Sequence, residues 1–119
     1  MRRGLITIAA VAVAAVLLVG PAPAAPQATA LTGTVGPGFT ITITKGGKKV
    51  TSLKPGAYTI TVNDKSPFHN FRLRGPGFNK ATSVAKQGKT TWNVTLKAGT
   101  YRYVCDPHAT TMKGSFKVG

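Results

Sequence analysis

An all-β fold of short strands, packed as a sandwich or barrel, is predicted by three features of this 119-residue sequence. Apolar and polar residues alternate in several short runs. The 14 glycines and 8 prolines punctuate those runs. Leucine is scarce and glutamate absent, so the composition suits strands and turns better than helices. The length sets one domain as the expectation.

The runs follow in chain order. Phe39, Ile41 and Ile43 interleave with Thr40, Thr42 and Thr44, and Gly46-Gly47 marks a turn. After Pro55-Gly56, Tyr58, Ile60 and Val62 alternate with Thr59, Thr61 and Asn63. Phe71 and Leu73 alternate with Arg72 and Arg74, and Gly75-Pro76-Gly77 closes that run. Residues 77–89 are the least regular stretch, read as a long connection with a short helical turn. Trp92, Val94 and Leu96 then alternate with Asn93 and Thr95, up to a turn at Lys97-Ala98-Gly99. Tyr101, Tyr103 and Cys105 interleave with Arg102 and Val104. Phe116 and Val118 close the chain between Ser115 and Lys117. Each run has one apolar face, so two sheets can bury those faces against each other.

The first thirty residues read differently. Arg2 and Arg3 precede an uncharged apolar run over residues 5–19. A proline-rich stretch and the small-x-small site Ala28-Thr29-Ala30 follow. This is the three-part form of a secretory signal peptide, so residues 1–30 are expected to direct export, with cleavage after Ala30. The apolar run is short for a membrane span, which needs about 20 residues. The remaining domain, residues 31–119, is small enough to be marginally stable alone. With one cysteine it has no internal disulfide, and a metal is another way to staple a small exported domain.

Without the leader arginines the formal charge falls from +14 to +12, against acids at Asp64 and Asp106 only. Such a charge favours anionic partners. Nucleic acid is not expected, because the leader implies export and the basic residues are scattered rather than blocked. A solvated surface is the plain reading of the lysines; a docking face for an acidic protein or an anionic envelope surface is the functional one.

Past the leader the chain holds two histidines, one cysteine and one methionine: His69, Cys105, His108 and Met112. Three of them fall within one short segment at the end of a predicted strand, and His69 opens another. Taken singly, each is more often a core residue than a ligand. Together they form the donor set of a blue copper electron-transfer site, with two imidazoles, a thiolate and a weak thioether. Asp106-Pro107 turns the chain so that His108 returns towards Cys105. A short loop stiffened by proline restricts ligand movement between oxidation states. Joining two distant segments through a metal also stabilises the fold.

The segment Tyr101-Arg102-Tyr103-Val104-Cys105-Asp106-Pro107-His108, followed by Met112-Lys113-Gly114, resembles the C-terminal copper loop of plastocyanin, pseudoazurin and amicyanin. His69-Asn70 is similar to the His-Asn pair on the strand that carries the first ligand in that family. The resemblance covers most of residues 39–118 and is specific at these two motifs. It implies a cupredoxin-like Greek-key β-sandwich holding one copper ion that cycles between Cu(I) and Cu(II). His69, Cys105, His108 and an axial Met112 would be its ligands. It implies that Asn70 ties the two ligand segments together, with Asp106 able to accept a bond from it. It also implies that His108 lies nearest the surface as the electron port, with Pro107, Ala109 and residues 75–78 as an apolar rim. The spacing departs from the family at one point. Three residues separate His108 from Met112, one fewer than in plastocyanin and pseudoazurin and one more than in amicyanin.

The expected function is therefore an exported, monomeric one-electron carrier, not an enzyme, whose redox partner proteins are acidic. The alternative is copper delivery, storage or resistance, although chaperones of that kind more often use Met-rich, His-rich or paired-Cys sites. Zinc rarely takes a thioether as its fourth ligand. An immunoglobulin-like sandwich would explain Tyr103 two residues before Cys105 as a tyrosine corner. That rival lacks a second cysteine, and its Trp92 is too close to Cys105. A hydrolytic Cys-His pair would need an oxyanion hole and distant chain segments, which the motif does not offer.

Overall fold

A computed structural model describes residues 9–17, 20–21 and 27–119. Half of the proposed leader, including Arg2-Arg3 and the start of its apolar run, lies outside these residues. Val11, Val13, Val16 and Leu17, within the run, are exposed and in no regular element. Among the described residues no helix is long and apolar enough to cross a membrane.

The described chain forms ten strands: β1 (Thr29–Val35), β2 (Ile41–Lys45), β3 (Lys48–Lys49), β4 (Ser52–Leu53), β5 (Gly56–Asp64), β6 (Arg72–Gly75), β7 (Phe78–Ala81), β8 (Gly88–Leu96), β9 (Gly99–Val104) and β10 (Lys113–Val118). One sheet has the order β3-β2-β1-β5-β8 and the other β4-β10-β9-β6-β7. The sheets face each other as a Greek-key β-sandwich. Each run read from the sequence contributes a strand whose alternate residues point inwards. On β5 these are Tyr58, Ile60, Val62 and Asp64, and on β9 Tyr101 and Tyr103. On the inner face of the second sheet, Tyr101 stacks on Phe116 and Tyr103 on Phe71, with ring planes 8° and 7° apart. Aromatic pairs of this kind add about 0.5–1.5 kcal/mol beyond the area they bury.

Local chemistry sets the connections. Lys45 pairs with Lys48 across a two-residue loop of Gly46-Gly47, both at positive φ, which is the backbone of a tight hairpin turn. The corner before β9 is closed by Tyr101, not Tyr103. The Tyr101 hydroxyl donates to the Lys97 carbonyl and accepts from its N–H.

Four strands are not read from the sequence: the two-residue β3 and β4, and the longer β1 and β7. β1 lies inside its sheet, parallel to β5 and antiparallel to β2. β7 falls in residues 77–89, where the sequence pattern suggests a helical turn, and pairs with β6 along the sheet edge. Thr29 and Ala30, beside the expected cleavage point, begin β1 opposite Tyr58 and Thr59. Cleavage after Ala30, if it occurs as the sequence leads one to expect, would remove those two pairs and leave buried Leu31 and Val35 in place.

Candidate metal centre

Both ligand-bearing segments come to one end of the sandwich. Cys105 directly follows β9, and a single 3-10 turn over Asp106–His108 carries the chain back. Pro107 suits the start of that turn because its fixed φ is already helical and its missing N–H would have no partner there. The loop is closed by its own backbone. The His108 N–H donates to the Cys105 carbonyl, the Met112 N–H to the His108 carbonyl, and the Cys105 N–H to the Met112 carbonyl. His69 stands in the connection between β5 and β6, just before buried Asn70 and Phe71.

This arrangement brings three donor atoms together. The Nδ1 atoms of His69 and His108 are 3.0 Å apart, and the Cys105 Sγ lies 3.6 Å from the first and 3.7 Å from the second. A point equidistant from the corners of that triangle is about 2.0 Å from each, the length of a bond between imidazole and a first-row metal. Cys105 is fully buried, His69 is 4% exposed, and His108 is the more open of the two histidines. Met112 is buried at 1% exposure, and its backbone bonds to both Cys105 and His108. A cluster of two imidazole nitrogens and a thiol, with a thioether in the same loop, fits a thiophilic first-row metal.

Asn70 ties the two segments through its side chain. Its Oδ1 accepts the Asp106 N–H at 2.7 Å, and its Nδ2 donates to the Asp106 carboxylate at 2.8 Å and to the Thr82 carbonyl at 3.2 Å. The Thr82 hydroxyl in turn accepts the Phe71 N–H. Arg72 grips Asp106 from the other side, its Nε and Nη2 reaching the carboxylate oxygens at 2.8–3.0 Å, while Nη1 donates to Asn79. The Arg72 hydrogen bond, aided by Asn70 and the charge of Arg74, holds the Asp106 carboxyl below the usual carboxylate range. The cysteine's neighbour is thus an ionised anchor whose position is fixed from β6 and β7.

The rim around the histidines differs from the one the sequence implies. Pro107 belongs to it, but residues 75–78 do not: Phe78 packs on Tyr101. The other wall is Phe39, Pro67, Phe68 and Val84. Phe39 stands edge-on to both imidazoles, with ring centroids 5.4 Å from His69 and 5.0 Å from His108. Its phase with Ile41 and Ile43 suggests the first inward residue of a strand. In fact it precedes β2 and is 67% exposed. Sequence reasoning also misses Thr82 and the Arg72 fork, since neither a threonine in an irregular stretch nor an arginine on a strand carries a signal of its own.

Asp64 ends β5 on the inner face, with Oδ1 accepting the Ser66 N–H and Oδ2 buried without a partner among the described residues. Burial raises its carboxyl above the ordinary value near 3.9, outweighing the Ser66 bond and the charge of His69. A raised folded-state pKa adds stability that is full below the unfolded value and lost as pH rises through the folded one. Wild type is therefore expected to lose stability relative to Asp64→Asn as pH rises above about 4. Denaturant midpoints of the two proteins across that range check this; parallel profiles would refute it.

A family model described as copper binding proteins of the plastocyanin/azurin family matches residues 39–119. Among solved structures, reduced rusticyanin superimposes with a TM-score of 0.57 at 24% identity, over 81% of this chain and 82% of that one. Rusticyanin from Thiobacillus ferrooxidans gives 0.52 at 27% identity, over 80% and 79% of the two chains. An oxidised methionine-to-leucine variant of amicyanin gives 0.50 at 19% identity, over 82% and 87%. A search of curated protein sequences gives no match.

Proposed function

Because this chain belongs to the plastocyanin/azurin family of copper-binding proteins, we propose that it is an exported one-electron carrier, with one copper ion held by His69, Cys105, His108 and an axial Met112. The observation that carries this reading is the Nδ1–Nδ1–Sγ triangle, held by a loop with buried ends that is cross-tied to the rest of the fold. Copper, when bound, supplies the Cu(II)/Cu(I) couple. The protein's part is to keep the same donors in place for both states. The three backbone bonds closing residues 105–112 and the Asn70 side chain leave these donors little freedom to move. A frame that does not rearrange needs little reorganisation when an electron arrives or leaves.

His108 is the port in this reading, being partly open while His69 and Cys105 are buried. Phe39 and Phe68, 67% and 72% exposed, are the exposed large apolar side chains of the described sandwich, and both flank the histidines. An apolar rim of this kind excludes water at an encounter. The reading assigns the chain no catalysis, treats it as a monomer and gives it acidic redox partners. Residues 1–30 act as the export leader in it.

Voltammetry of the copper-loaded protein tests the proposal. A single reversible one-electron wave, with copper retained over repeated cycles, is expected. Loss of copper to a Cu(I) chelator on reduction would instead support delivery or storage. If acidic partners are steered by charge, oxidation by anionic hexacyanoferrate should slow as salt rises from about 10 to about 200 mM, because screening shortens the reach of the charges. A salt-independent rate would remove the steering.

A further inference from the structure

Resting on the electron-carrier reading, we propose that the outer face of β10-β9-β6 is the docking surface for a protein partner bearing clustered carboxylates, with Arg74 and Arg102 as its anchors. Beyond Arg2 and Arg3 the chain has only three arginines, Arg72, Arg74 and Arg102, and the fold puts all of them on this face. Arg72 and Arg74 flank inward Leu73 on β6, and Arg102 lies between inward Tyr101 and Tyr103 on β9. Arg74 is directly opposite Arg102 in the ladder. On β10 exposed Ser115 faces Arg102, with exposed Lys113 and Lys117 on either side of it.

No acid of the chain answers this charge. Asp64 is buried and Asp106 is held in the Arg72 fork, where Arg74 acts on it only through space, so Arg74, Arg102, Lys113 and Lys117 form no ion pair among the described residues. Like charges directly opposed on a sheet destabilise it. An anion placed between the two guanidinium groups reverses that sign.

Arginine identity points to the kind of anion. The eleven lysines are spread over both sheets and their loops, whereas every arginine of the sandwich is here. The planar fork of arginine binds a carboxylate through two parallel hydrogen bonds, and arginine is enriched at protein interfaces where lysine is depleted. A polyanion bound through charge alone has no reason to prefer this face over the lysines elsewhere. The position favours a redox partner as well. The groove between Arg74, Arg102 and Lys113 extends to Val104 and Ala109, which precede Cys105 and follow His108. A protein seated there lies beside the electron port.

The test is an NMR titration of the full chain in its Cu(I) form with a hexaglutamate peptide, and separately with polyphosphate, at low salt. Amide shifts are expected to cluster on β6, β9 and β10. Arg74→Gln/Arg102→Gln should weaken hexaglutamate binding by roughly 10-fold or more. The matched control is Lys45→Gln/Lys48→Gln, which removes another directly opposed cationic pair, from the other sheet. It should change binding by about 2-fold at most, as expected of scattered surface charge. Arg74→Lys/Arg102→Lys should recover only part of the affinity. Equal losses in the two Gln pairs, shifts over both sheets, or full recovery by lysine would overturn the proposal. So would tighter binding of polyphosphate that ignores the arginine pair, which would indicate an anionic polymer instead. The blue absorption of the same proteins oxidised with Cu(II) is read independently. Its absence beside intact binding on this face would refute the carrier reading and leave the carboxylate-binding face standing.

Discussion

Asn70→Ala is expected to lower the stability of the copper-loaded protein by about 2–4 kcal/mol and its copper affinity by about 10–100-fold. The side chain makes three hydrogen bonds: one from the Asp106 N–H, one to the Asp106 carboxylate and one to the Thr82 carbonyl. Asn70 is 2% exposed, so water cannot readily take its place. Each buried polar group left without a partner costs about 1–3 kcal/mol. The loss also falls on one junction. Without Asn70, the segment carrying His69 and the loop carrying Cys105 and His108 are held together here chiefly by the Arg72 fork, whose side chains are 25% and 35% exposed and whose grip is weaker for it. Metal affinity and apo stability should therefore fall together. Copper titration and denaturant unfolding of apo and loaded protein measure the two effects. A variant that loses stability but keeps wild-type affinity would show that Asn70 is only a packing residue.

Cys105→Ser is expected to have the larger effect on the metal. The sulfur is fully buried, 3.6–3.7 Å from both histidine nitrogens, and a thiolate is the one anionic donor of the set. Serine keeps the shape but not the softness or the accessible negative charge. For wild type, copper at about 1,000 times its dissociation constant adds about 4 kcal/mol to stability. With serine most of that gain should vanish, while the apo forms unfold within about 1–2 kcal/mol of each other, a typical cost for a small change in a core. Thermal melts of both proteins with and without one equivalent of copper check this. An undiminished rise in melting temperature for Cys105→Ser would mean that the thiolate is not a principal ligand.

The sandwich is legible where alternation is unbroken, as on β5, β8 and β9. It is not legible at β1, although that strand lies inside its sheet. There Leu31 and Val35 bracket Gly33, and glycine erases the inward signal. The fold explains the glycine: a Cβ at Gly33 would lie 3.1 Å from the Phe71 ring, so the ring occupies the place of a side chain. β7 is hidden because its pattern is mostly exposed at a sheet edge. The four chemical residues are legible because each is nearly unique in a chain with so few soft donors, and His69, Cys105 and His108 do converge. The contribution of Asp106 to the Asn70 tie is legible only through the family resemblance at the residue after the cysteine. Phe39 and Thr82 carry no such signal, because their partners lie 11 or more residues away, at distances that only the closed fold determines.

The most direct test is the visible absorption spectrum of the full chain with one equivalent of Cu(II), beside Cys105→Ser. An intense blue band in wild type that is absent from the serine variant is the predicted result, since only thiolate-to-copper charge transfer from Cys105 produces it. A wild-type protein that binds Cu(II) without that band, or fails to bind it, would contradict the electron-carrier account.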